Sequence, residues 1–293
     1  MANWKLGIVI PCRNEEENIP KLIEAINSQS SRIVASIVFI ENASTDKTCE
    51  VISALESNIP ISMESICTEG GLSSAAEFTA FLHGAKKILK ENLSITHVMK
   101  LDADVRLSYR YFETLQNRTI GSGLVGSPNP GEHKNVISGA TRIYSRDAFK
   151  VVVQMPEALG FDVLDEIYIS SSGYLIECVR LPLFALARKT GSSEGILRGR
   201  FRSGITCKVV GYSFPYFLIR IARYAFRKPL VLGSIFMFCG YASTKNRVYP
   251  KWVTEKYRKL QVARLRESLV SRNFFKTNRK GCNHKCNDGY SAR

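Results

Sequence analysis

Three clusters of polar side chains near the N-terminus have the types and spacing that could do chemistry. They are Pro11-Cys12-Arg13-Asn14-Glu15, Glu41-Asn42-Ala43-Ser44-Thr45-Asp46 and Asp102-Ala103-Asp104. Each cluster follows an apolar run that is typical of a buried strand. Because ligands of an open parallel sheet bind beyond the carboxyl ends of its strands, we expect the clusters to converge on one edge of the sheet. A structural turn does not need so many charges, so this edge is the candidate site.

The third cluster contains two carboxylates, Asp102 and Asp104, that are candidate metal ligands. Carboxylates one residue apart, directly after a buried strand, suit a hard divalent cation. Such a cation could bridge to a diphosphate and neutralise the charge that develops as a sugar–phosphate bond breaks. An Asp-x-Asp alone is a weak signal because surface turns often contain it. Its position at the end of the fourth strand, together with the other two clusters, makes it fairly specific.

The elements that must position these clusters alternate between strands and helices. Apolar runs predict strands, and helical spacing predicts helices between them, with Thr45 as the cap of the second helix. This alternation predicts an α/β fold in which a mostly parallel sheet has helices on both faces. The predicted strands cover residues 6–11, 33–40, 61–67 and 97–101, and the longer predicted helices cover residues 18–26 and 73–89.

The motifs together resemble those of a family 2 glycosyltransferase with the GT-A fold, a Rossmann-like α/β domain. The resemblance rests on residues 8–15 (IVIPCRNE), residues 41–48 (ENASTDKT) and Asp102-Ala103-Asp104, and it extends over residues 5 to about 190. Within that family the chain is similar to microbial membrane-associated members, such as dolichyl-phosphate sugar synthases and cell-envelope glycosyltransferases. The resemblance implies an inverting reaction on a nucleotide-sugar donor.

The same resemblance implies roles for individual residues. Asp102 would contact the nucleoside, and Asp104 would bind Mg²⁺ or Mn²⁺, with Asp102 as a second candidate ligand. Glu41 stands where an aspartate is more usual, which leaves the base of the nucleotide open. Gly71 matches a glycine-bearing loop near the nucleotide, although a simple turn at a helix start explains it equally well. The residues that would line the donor pocket are Pro11, Arg13, Glu15, Glu41, Asn42, Gly71, Ala103 and Arg188.

A catalytic base is expected in the run from Gly160 to Glu166, GFDVLDE. An inverting transfer needs a carboxylate that removes the proton of the acceptor as it attacks the sugar. The resemblance places this group about eleven residues before a glycine–aromatic pair, and Asp162 lies eleven residues before Gly173. Asp165 is about one helical turn further on and shares the face of Asp162, so the choice between them stays open. We expect at least one acid to be catalytic and at least one to cap the helix.

A basic loop, Arg188-Lys189-Thr190-Gly191, resembles one that family members place over the donor diphosphate. Its physical interpretation is a cationic clamp for phosphate oxygens.

Charge is distributed unevenly along the 293 residues, of which 45% are apolar, a normal globular value. Residues 196–293 contain 22 Lys and Arg against three acidic residues, a net charge of +19, whereas residues 1–195 contain 19 basic and 23 acidic residues, a net charge of −4. Such asymmetry suggests an anionic partner for the last third of the chain. A well-solvated surface is the alternative that charge alone leaves open.

Two apolar stretches, residues 209–221 and 229–241, lie in this basic region. The second covers about 13 residues, whereas a spanning helix needs about 20. The pair fits interfacial or re-entrant helices with snorkelling arginines, and helices packed on the catalytic domain are an almost equal alternative. We therefore predict three parts: a catalytic domain (1–195), a basic helical membrane-associating extension (196–269) and a polar, disordered tail (270–293). With no signal peptide and scattered cysteines, we expect a cytoplasmic protein, peripheral on the inner face of the cell membrane.

The sequence thus predicts a glycosyltransferase that uses Mg²⁺ or Mn²⁺ and acts on a lipid-phosphate or lipid-linked glycan acceptor. A nucleotidyltransferase is a rival, but the loop after the first strand is acidic and lacks the glycines expected there. A non-catalytic module that binds membrane or nucleic acid is a second rival. Nucleic acid is not expected as a partner, although Tyr212, Phe214, Tyr216 and Phe217 could form a stacking surface.

Overall fold

The computed structural model describes residues 4–29, 32–68, 75–118, 121–129, 136–181, 183–188, 195–226, 229–244 and 248–263. Gly71, the loop residues 189–191 and the predicted tail 270–293 lie outside these ranges.

Nine strands form two sheets in the described chain. The strands are β1 (Leu6–Cys12), β2 (Val34–Asn42), β3 (Ile61–Ile66), β4 (His97–Leu101), β5 (Val105–Leu107), β6 (Leu124–Gly126), β7 (Thr141–Ser145), β8 (Ile176–Cys178) and β9 (Phe184–Leu186). Seven of them form the main sheet in the order β3-β2-β1-β4-β7-β6-β8, and β5 pairs with β9 in a separate two-stranded sheet.

Helices cover both faces of the main sheet and continue beyond it. They are α1 (Ile19–Asn27), α2 (Thr48–Ser53), α3 (Ala76–Glu91), α4 (Tyr111–Arg118), α5 (Arg146–Val152), α6 (Phe161–Ser171), α7 (Ile196–Val209), α8 (Phe214–Ala225), α9 (Leu230–Ser243) and α10 (251–263).

The main sheet is mostly parallel, which confirms the predicted α/β fold. β1 pairs in parallel with β2 and β4, and β2 pairs in parallel with β3. β7 runs antiparallel to both β4 and β6. Because β1, β2 and β4 are parallel neighbours, their carboxyl ends meet at one edge of the sheet. The loops that follow these three strands contain the three polar clusters.

Two local predictions differ from the structure. Thr45 does not cap α2, which begins at Thr48, and its amide instead donates a hydrogen bond to Asn14 Oδ1 (2.8 Å). No acidic residue caps α6 either, because its N-cap is Gly160 in a left-handed conformation. At α2 the side chain of Asp46 accepts a hydrogen bond from the amide of Thr48 instead (3.0 Å).

The basic extension shares a core with the catalytic domain. Ile205 and Val209 of α7, Val210 after it, and Val253 and Tyr257 of α10 belong to the same buried cluster as the apolar side chains of α3, α5 and α6. Tyr249 reinforces this contact, since its hydroxyl donates to the carbonyl oxygen of Ala158 (3.2 Å). The start of α6 is therefore packed against the extension.

Helices α7 and α9 approach each other closely enough for backbone to meet backbone. A β-carbon on Gly204 would overlap the carbonyl oxygen of Met237, and one on Gly240 would overlap the carbonyl oxygen of Phe201. Small residues that allow such an approach are common where helices pack without much side-chain interdigitation. Among the described helices, none combines the length and the apolar character that crossing a membrane requires.

Candidate active site

The loops after β1 and β2 are hydrogen-bonded to each other. The amide of Asn14 donates to Ser44 Oγ (3.1 Å), and the amide of Thr45 donates to Asn14 Oδ1 (2.8 Å). The amide of Glu15 donates to Thr48 Oγ1 (2.8 Å). The first two sequence motifs therefore fold against each other, and their Asn, Ser and Thr residues hold the two loops together.

Asp46 anchors the same contact. Its carboxylate accepts hydrogen bonds from the amide of Glu16 (3.2 Å), the amide of Thr48 (3.0 Å) and the hydroxyl of Thr48 (2.5 Å). Partial burial acts to raise the pKa of Asp46, but the hydrogen bonds from Thr48 outweigh it and hold the pKa below its ordinary value. The aspartate of the second motif is thus an ionised structural group of the loop.

Backbone strain occurs in both loops. Asn14 has φ 55° and Ala43 has φ 52°, in the left-handed region that is uncommon for residues other than glycine. Such conformations persist where the surroundings impose them, and they cluster at binding sites. Their presence at the ends of β1 and β2 supports a functional role for this edge.

The residues expected to line the nucleotide pocket differ in their accessibility. Arg13 is exposed and Pro11 is half-buried, whereas Glu41 is buried and accepts a hydrogen bond from the amide of Ser44. Ala103, between the two aspartates, is buried. Arg13 therefore has an accessible side chain, while Glu41 is fixed by its own loop.

Asn42 uses its whole amide group within the protein. Its Nδ2 donates to Thr68 Oγ1 (2.7 Å), and its Oδ1 accepts from the amide of Thr68 (3.0 Å). These bonds tie the end of β2 to the segment after β3. The side chain of Asn42 therefore stabilises the end of β2 at this edge of the sheet.

Arg188 lies between two acidic residues that are distant in sequence. β5 directly follows Asp104 and pairs with β9, so the chain returns to Asp104, and the amide of Ala187 donates to the Asp104 carbonyl (2.9 Å). Arg188 Nε lies 3.4 Å from Asp104 Oδ2, and its Nη2 forms an ion pair with Glu15. Burial acts to lower the pKa of Arg188, but the contacts with Glu15 and Asp104 raise it above its ordinary value. Arg188 is thus a fixed cation at the sheet edge.

A cleft of about 420 Å³ opens beside Arg188. Its walls are the loop after β1, the side chain of Asp46 and the side chain of Arg106, whose Nη2 donates to Asn18 Oδ1 (2.6 Å). Acidic and basic side chains both line the cleft, and the basic ones are Lys21, Arg106 and Arg188. A phosphate group in this cleft would meet cations held by the fold.

Lys100 of β4 lies under Asp102. The side chain is fully buried, and its Nζ contacts Asp102 Oδ1 (2.5 Å) and the carboxylate of Glu77 at the start of α3. Burial raises the pKa of Asp102, Lys100 lowers it, and the net result is a pKa of about 7. The nucleoside-contacting candidate is thus part of a three-residue charged cluster.

Asp162 lies in the first turn of α6, near the charged cluster that contains Lys100 and Glu77. It is partly exposed, and its Oδ2 contacts Gly139, the residue whose carbonyl oxygen accepts from Lys100 Nζ (2.9 Å). Burial raises the pKa of Asp162 even though Arg142 acts to lower it. A carboxylate with a raised pKa beside the Asp102 cluster has the character of a general base.

Asp165, the other candidate base, has different surroundings. It is fully buried, its two oxygens accept from Arg142 Nη1 (2.7 and 2.8 Å), and Oδ2 also accepts from the hydroxyl of Tyr144 (2.7 Å). A base must reach the proton that it removes, and these contacts leave Asp165 no route to an acceptor. These contacts favour Asp162 over Asp165 as the candidate base, because Asp165 holds α6 on β7.

The residues at the edge fit a divalent metal that is shared with a substrate. Within the described residues, no group of three or more His, Cys, Asp or Glu side chains is arranged to hold a metal ion. Asp104 nevertheless presents a partly exposed carboxylate at a strand end, with Asp102 two residues before it. Mg²⁺ commonly uses one or two protein carboxylates and completes its shell with phosphate oxygens and water. This donor set suits Mg²⁺ or Mn²⁺ and is too small for a site without substrate.

Two site residues were missed by the sequence reasoning. Lys100 carried a readable signal, because a lysine in the apolar strand HVMKL, directly before Asp102, must be buried and paired. No sequence pattern indicates Glu77, since its contact with Lys100 depends on how α3 packs on the sheet.

Comparison with known proteins agrees with this arrangement. Residues 7–118, which contain β1 to β4 and the Asp102-Ala103-Asp104 cluster, match the family model described as glycosyl transferase family 2. These residues are therefore similar to a family 2 glycosyltransferase domain. The match confirms the enzyme class that the sequence motifs predict.

Solved structures resemble the fold of this chain. A mannosyltransferase from Pyrobaculum calidifontis, PcManGT, solved with GDP-Man and Mn²⁺, has a TM-score of 0.56 and 14% identity, over 96% of this chain and 81% of its own. Glucosyl-3-phosphoglycerate synthase from Mycobacterium tuberculosis, solved with Mn²⁺, UDP and glucosyl-3-phosphoglycerate, has a TM-score of 0.49 and 17% identity, over 69% of this chain and 78% of its own. No curated protein matches the chain. The first of these likenesses covers the basic extension as well as the sheet domain.

Proposed function

We propose that this glycosyltransferase is an inverting, metal-dependent enzyme that transfers a sugar from a nucleotide-sugar donor to a lipid-phosphate or lipid-linked glycan acceptor at a membrane surface. The observation that supports it best is the convergence of Asp104, Arg188 and Asp162 around the end of β4. One carboxylate, one cation and one base candidate thus lie where a donor diphosphate and an acceptor would meet.

The donor side of the proposal rests on Asp104 and Arg188. In this proposal Asp104 holds the metal with Asp102 beside it, and Arg188 contacts the phosphates of the donor. When bound, Mg²⁺ or Mn²⁺ would stabilise the charge of the leaving nucleoside diphosphate. The neighbouring PcManGT structure contains GDP-Man and Mn²⁺, which is consistent with this assignment. Pro11, Arg13, Glu15 and Glu41 would surround the nucleotide.

The acceptor side rests on Asp162. Burial raises the pKa of Asp162 above its ordinary value, which makes its carboxylate a stronger base. Asp162 also lies at the start of α6, which α7 supports, since the side chain of Val210 packs directly on Gly160. The extension therefore lies next to the acceptor side of the site.

An apolar surface on the extension supports action at a membrane. We call it the α8–α9 surface. Its members are large apolar side chains with 38–60% of their area exposed: Phe214, Leu218, Ile219, Leu230, Val231, Leu232, Ile235, Phe236 and Phe238. Extended apolar patches of this kind mark sites of interaction. Residues 196–254 contain no acidic residue, so this surface has only basic charges near it in sequence.

An interfacial position explains these features better than insertion across the bilayer. An apolar helix face can lie at the boundary of headgroups and acyl chains, while nearby Lys and Arg contact anionic headgroups. In this proposal residues 1–195 are the catalytic domain and residues 196–269 the membrane-associating part, peripheral on the inner face of the cell membrane. A lipid-linked acceptor would then reach Asp162 from the same side.

The rival of a nucleic-acid-binding module has less support. Phe217 is fully buried and stacks on Tyr241, with ring centroids 4.0 Å apart. Tyr212 packs between Tyr216 and Tyr257. Two of the four aromatic residues that could stack on bases are thus used in the packing of the extension.

Release of nucleoside diphosphate from a panel of nucleotide sugars tests the proposal. The assay compares Mn²⁺ with EDTA, with membrane lipid extract as acceptor, for the wild type and for Asp104→Ala. Asp147→Ala is the matched control, because Asp147 is an exposed aspartate on α5 that pairs only with Lys150 among described residues. We expect metal-dependent release from one donor, lost in Asp104→Ala and kept in the control. Absence of release from every donor, with no nucleotide binding by calorimetry, would refute the catalytic proposal.

A further inference from the structure

Lys100 connects three separate elements of the active site through one buried cation. Its Nζ contacts Asp102 at the end of β4, Glu77 at the start of α3, and the carbonyl oxygen of Gly139 in the loop before β7. The ring of Phe161, at the start of α6, lies 5.9 Å from the same nitrogen. Asp102 is itself assigned to the donor site, while Gly139 packs against Asp162 and Phe161 directly precedes it.

The contacts of Lys100 compensate the cost of burying it. Removing an ammonium group from water is costly unless carboxylates and other oxygens surround it. Burial alone acts to lower the pKa of Lys100, but Asp102 and Glu77 raise it above its ordinary value, so the group stays charged. A methionine would fill the same core volume without that cost, so stability alone does not require a lysine here.

We infer that Lys100 is a positioning residue, which fixes Asp102 relative to the Gly139 loop and thereby to the base Asp162. The inference rests on the proposed function. The link to Asp162 is direct, since its carboxylate packs on Gly139 and Gly139 accepts from Lys100. Donor and acceptor groups are thereby held at one spacing. Errors of about 1 Å in such a spacing can cost a factor of about 10² in rate.

Arg146 provides a matched comparison at the opposite, amino end of β4. Its guanidinium also ties separate segments, through the carbonyl oxygens of Leu89 (3.0 Å) and Ile95 (3.0 Å). Those partners are backbone groups at the amino end of β4, away from the three polar clusters. Arg146→Met should therefore reduce stability without changing the turnover of the folded enzyme.

Three variants test the inference: Lys100→Met, Lys100→Met with Glu77→Gln, and Arg146→Met. The single Lys100 variant leaves two carboxylates without their cation and could fail to fold, so the double variant removes one of them. We expect the double variant to unfold close to the wild-type temperature. Its kcat should nevertheless be about 100-fold lower, and its donor affinity should fall as well, because Asp102 belongs to the proposed donor site. Hydrogen exchange should be faster at the Asp102 amide, which donates to Ala140, and unchanged in β1 and β2.

Each outcome decides the inference. A double variant that regains both stability and turnover would make Lys100 purely structural, and unchanged exchange at Asp102 would show that it positions nothing. An equal loss of kcat in Arg146→Met would remove the special role of Lys100. If the wild type transfers no sugar, the proposed function fails, and the exchange measurement alone decides whether Lys100 holds Asp102 and the Gly139 loop together.

Discussion

Oδ2 of Asp162 packs against Gly139 so closely that any β-carbon at that position would overlap the carboxylate. Glycine is the residue that allows a backbone to approach another group in this way. The contact fixes the direction of the Asp162 side chain at the start of α6. It also separates Asp162, which faces the Lys100–Asp102 pair, from Asp165, which faces Arg142. Two acids one helical turn apart therefore have different surroundings.

Asp162→Asn should abolish most of the turnover while preserving the fold. The amide cannot accept the proton of the acceptor, and loss of a general base typically costs a factor of about 10²–10⁴ in rate. Donor affinity should stay close to that of the wild type, because Asp162 is on the acceptor side. Steady-state rates with the preferred donor, together with calorimetric titration by the nucleoside diphosphate, would measure both quantities.

Asp165→Asn is the matched control for that variant. It leaves Arg142 buried without its carboxylate, and breaking a buried ion pair typically costs roughly 3–5 kcal/mol of unfolding free energy. Turnover per folded molecule should be retained. If instead Asp165→Asn is stable and inactive while Asp162→Asn is active, the assignment of the base is reversed.

The raised pKa of Asp162 predicts opposite pH dependences for rate and stability. A base acts only when deprotonated, so kcat should rise with pH through the pKa of folded Asp162. For stability, the folded state holds this proton more tightly than the unfolded state. The stabilising contribution is therefore complete below the unfolded pKa and lost as pH rises through the folded pKa.

Urea unfolding of the wild type and Asp162→Asn at pH 4, near the ordinary pKa of an aspartate, and at pH 8 measures this effect. The stability of the asparagine variant relative to the wild type should increase between the two pH values, because asparagine does not titrate. A relative stability that is constant or that falls with pH would contradict the raised pKa. The acidic limb of the kcat profile should also disappear from whatever residual activity the variant retains.

Arg188→Met should weaken donor binding. Loss of one charged hydrogen-bonding partner of a phosphate commonly costs roughly 1.5–3 kcal/mol, so the KM for the donor should rise about tenfold or more. Arg188→Lys should recover only part of the donor affinity, since lysine cannot donate hydrogen bonds from a planar fork as arginine does. Arg110→Met, which removes an exposed arginine paired with Glu113, is the control. An unchanged KM in Arg188→Met would exclude Arg188 from the donor site.

The sequence predicted the sheet edge because that information is local. Apolar runs define β1, β2 and β4, and parallel strands must bring the following polar residues together. Asp102 and Asp104 could therefore be placed at the end of β4 without knowledge of long-range contacts. The enzyme class followed from the same motifs.

Long-range contacts account for what the sequence did not reveal. Arg188 reaches Asp104 only because β5 pairs with β9, and short strands of three residues have almost no periodic signal. The choice between Asp162 and Asp165 depended on which acid meets Arg142, a residue 20 and more positions earlier. Burial of a charge is decided by its partner, and spacing within one helix does not identify that partner.

Gly204→Ala and Gly240→Ala should both destabilise the extension. Each new methyl group would overlap a backbone carbonyl oxygen of the facing helix, so α7 and α9 must separate, at a cost of typically 1–3 kcal/mol. Gly233→Ala is the control, because its nearest neighbours are side-chain atoms at 3.4 Å or more and alanine favours helix. Thermal unfolding should show lower midpoints for the first two variants and an equal or higher midpoint for the third. Equal midpoints for all three would contradict the close packing of α7 on α9.

The α8–α9 surface should bind vesicles that contain anionic lipid. Each apolar side chain that leaves water contributes roughly 1.5–3 kcal/mol, and each basic residue near the headgroups adds about 1 kcal/mol. Replacing Ile235 and Phe238, both exposed on α9, with aspartate removes two apolar contacts and introduces repulsion. Ile235→Asp with Phe238→Asp should therefore weaken co-sedimentation with phosphatidylglycerol-containing vesicles by at least tenfold.

Leu93→Asp with Leu175→Asp is the control for vesicle binding, since both leucines are exposed apolar residues outside the extension. This pair changes charge and apolar area in the same way and should bind vesicles as the wild type does. Raising the salt concentration should weaken wild-type binding without abolishing it, because screening removes the electrostatic part and leaves the apolar part. Binding that salt abolishes completely, and that the α9 variant retains at low salt, would mean that basic residues alone hold the enzyme at the membrane and that α8 and α9 stay outside the lipid.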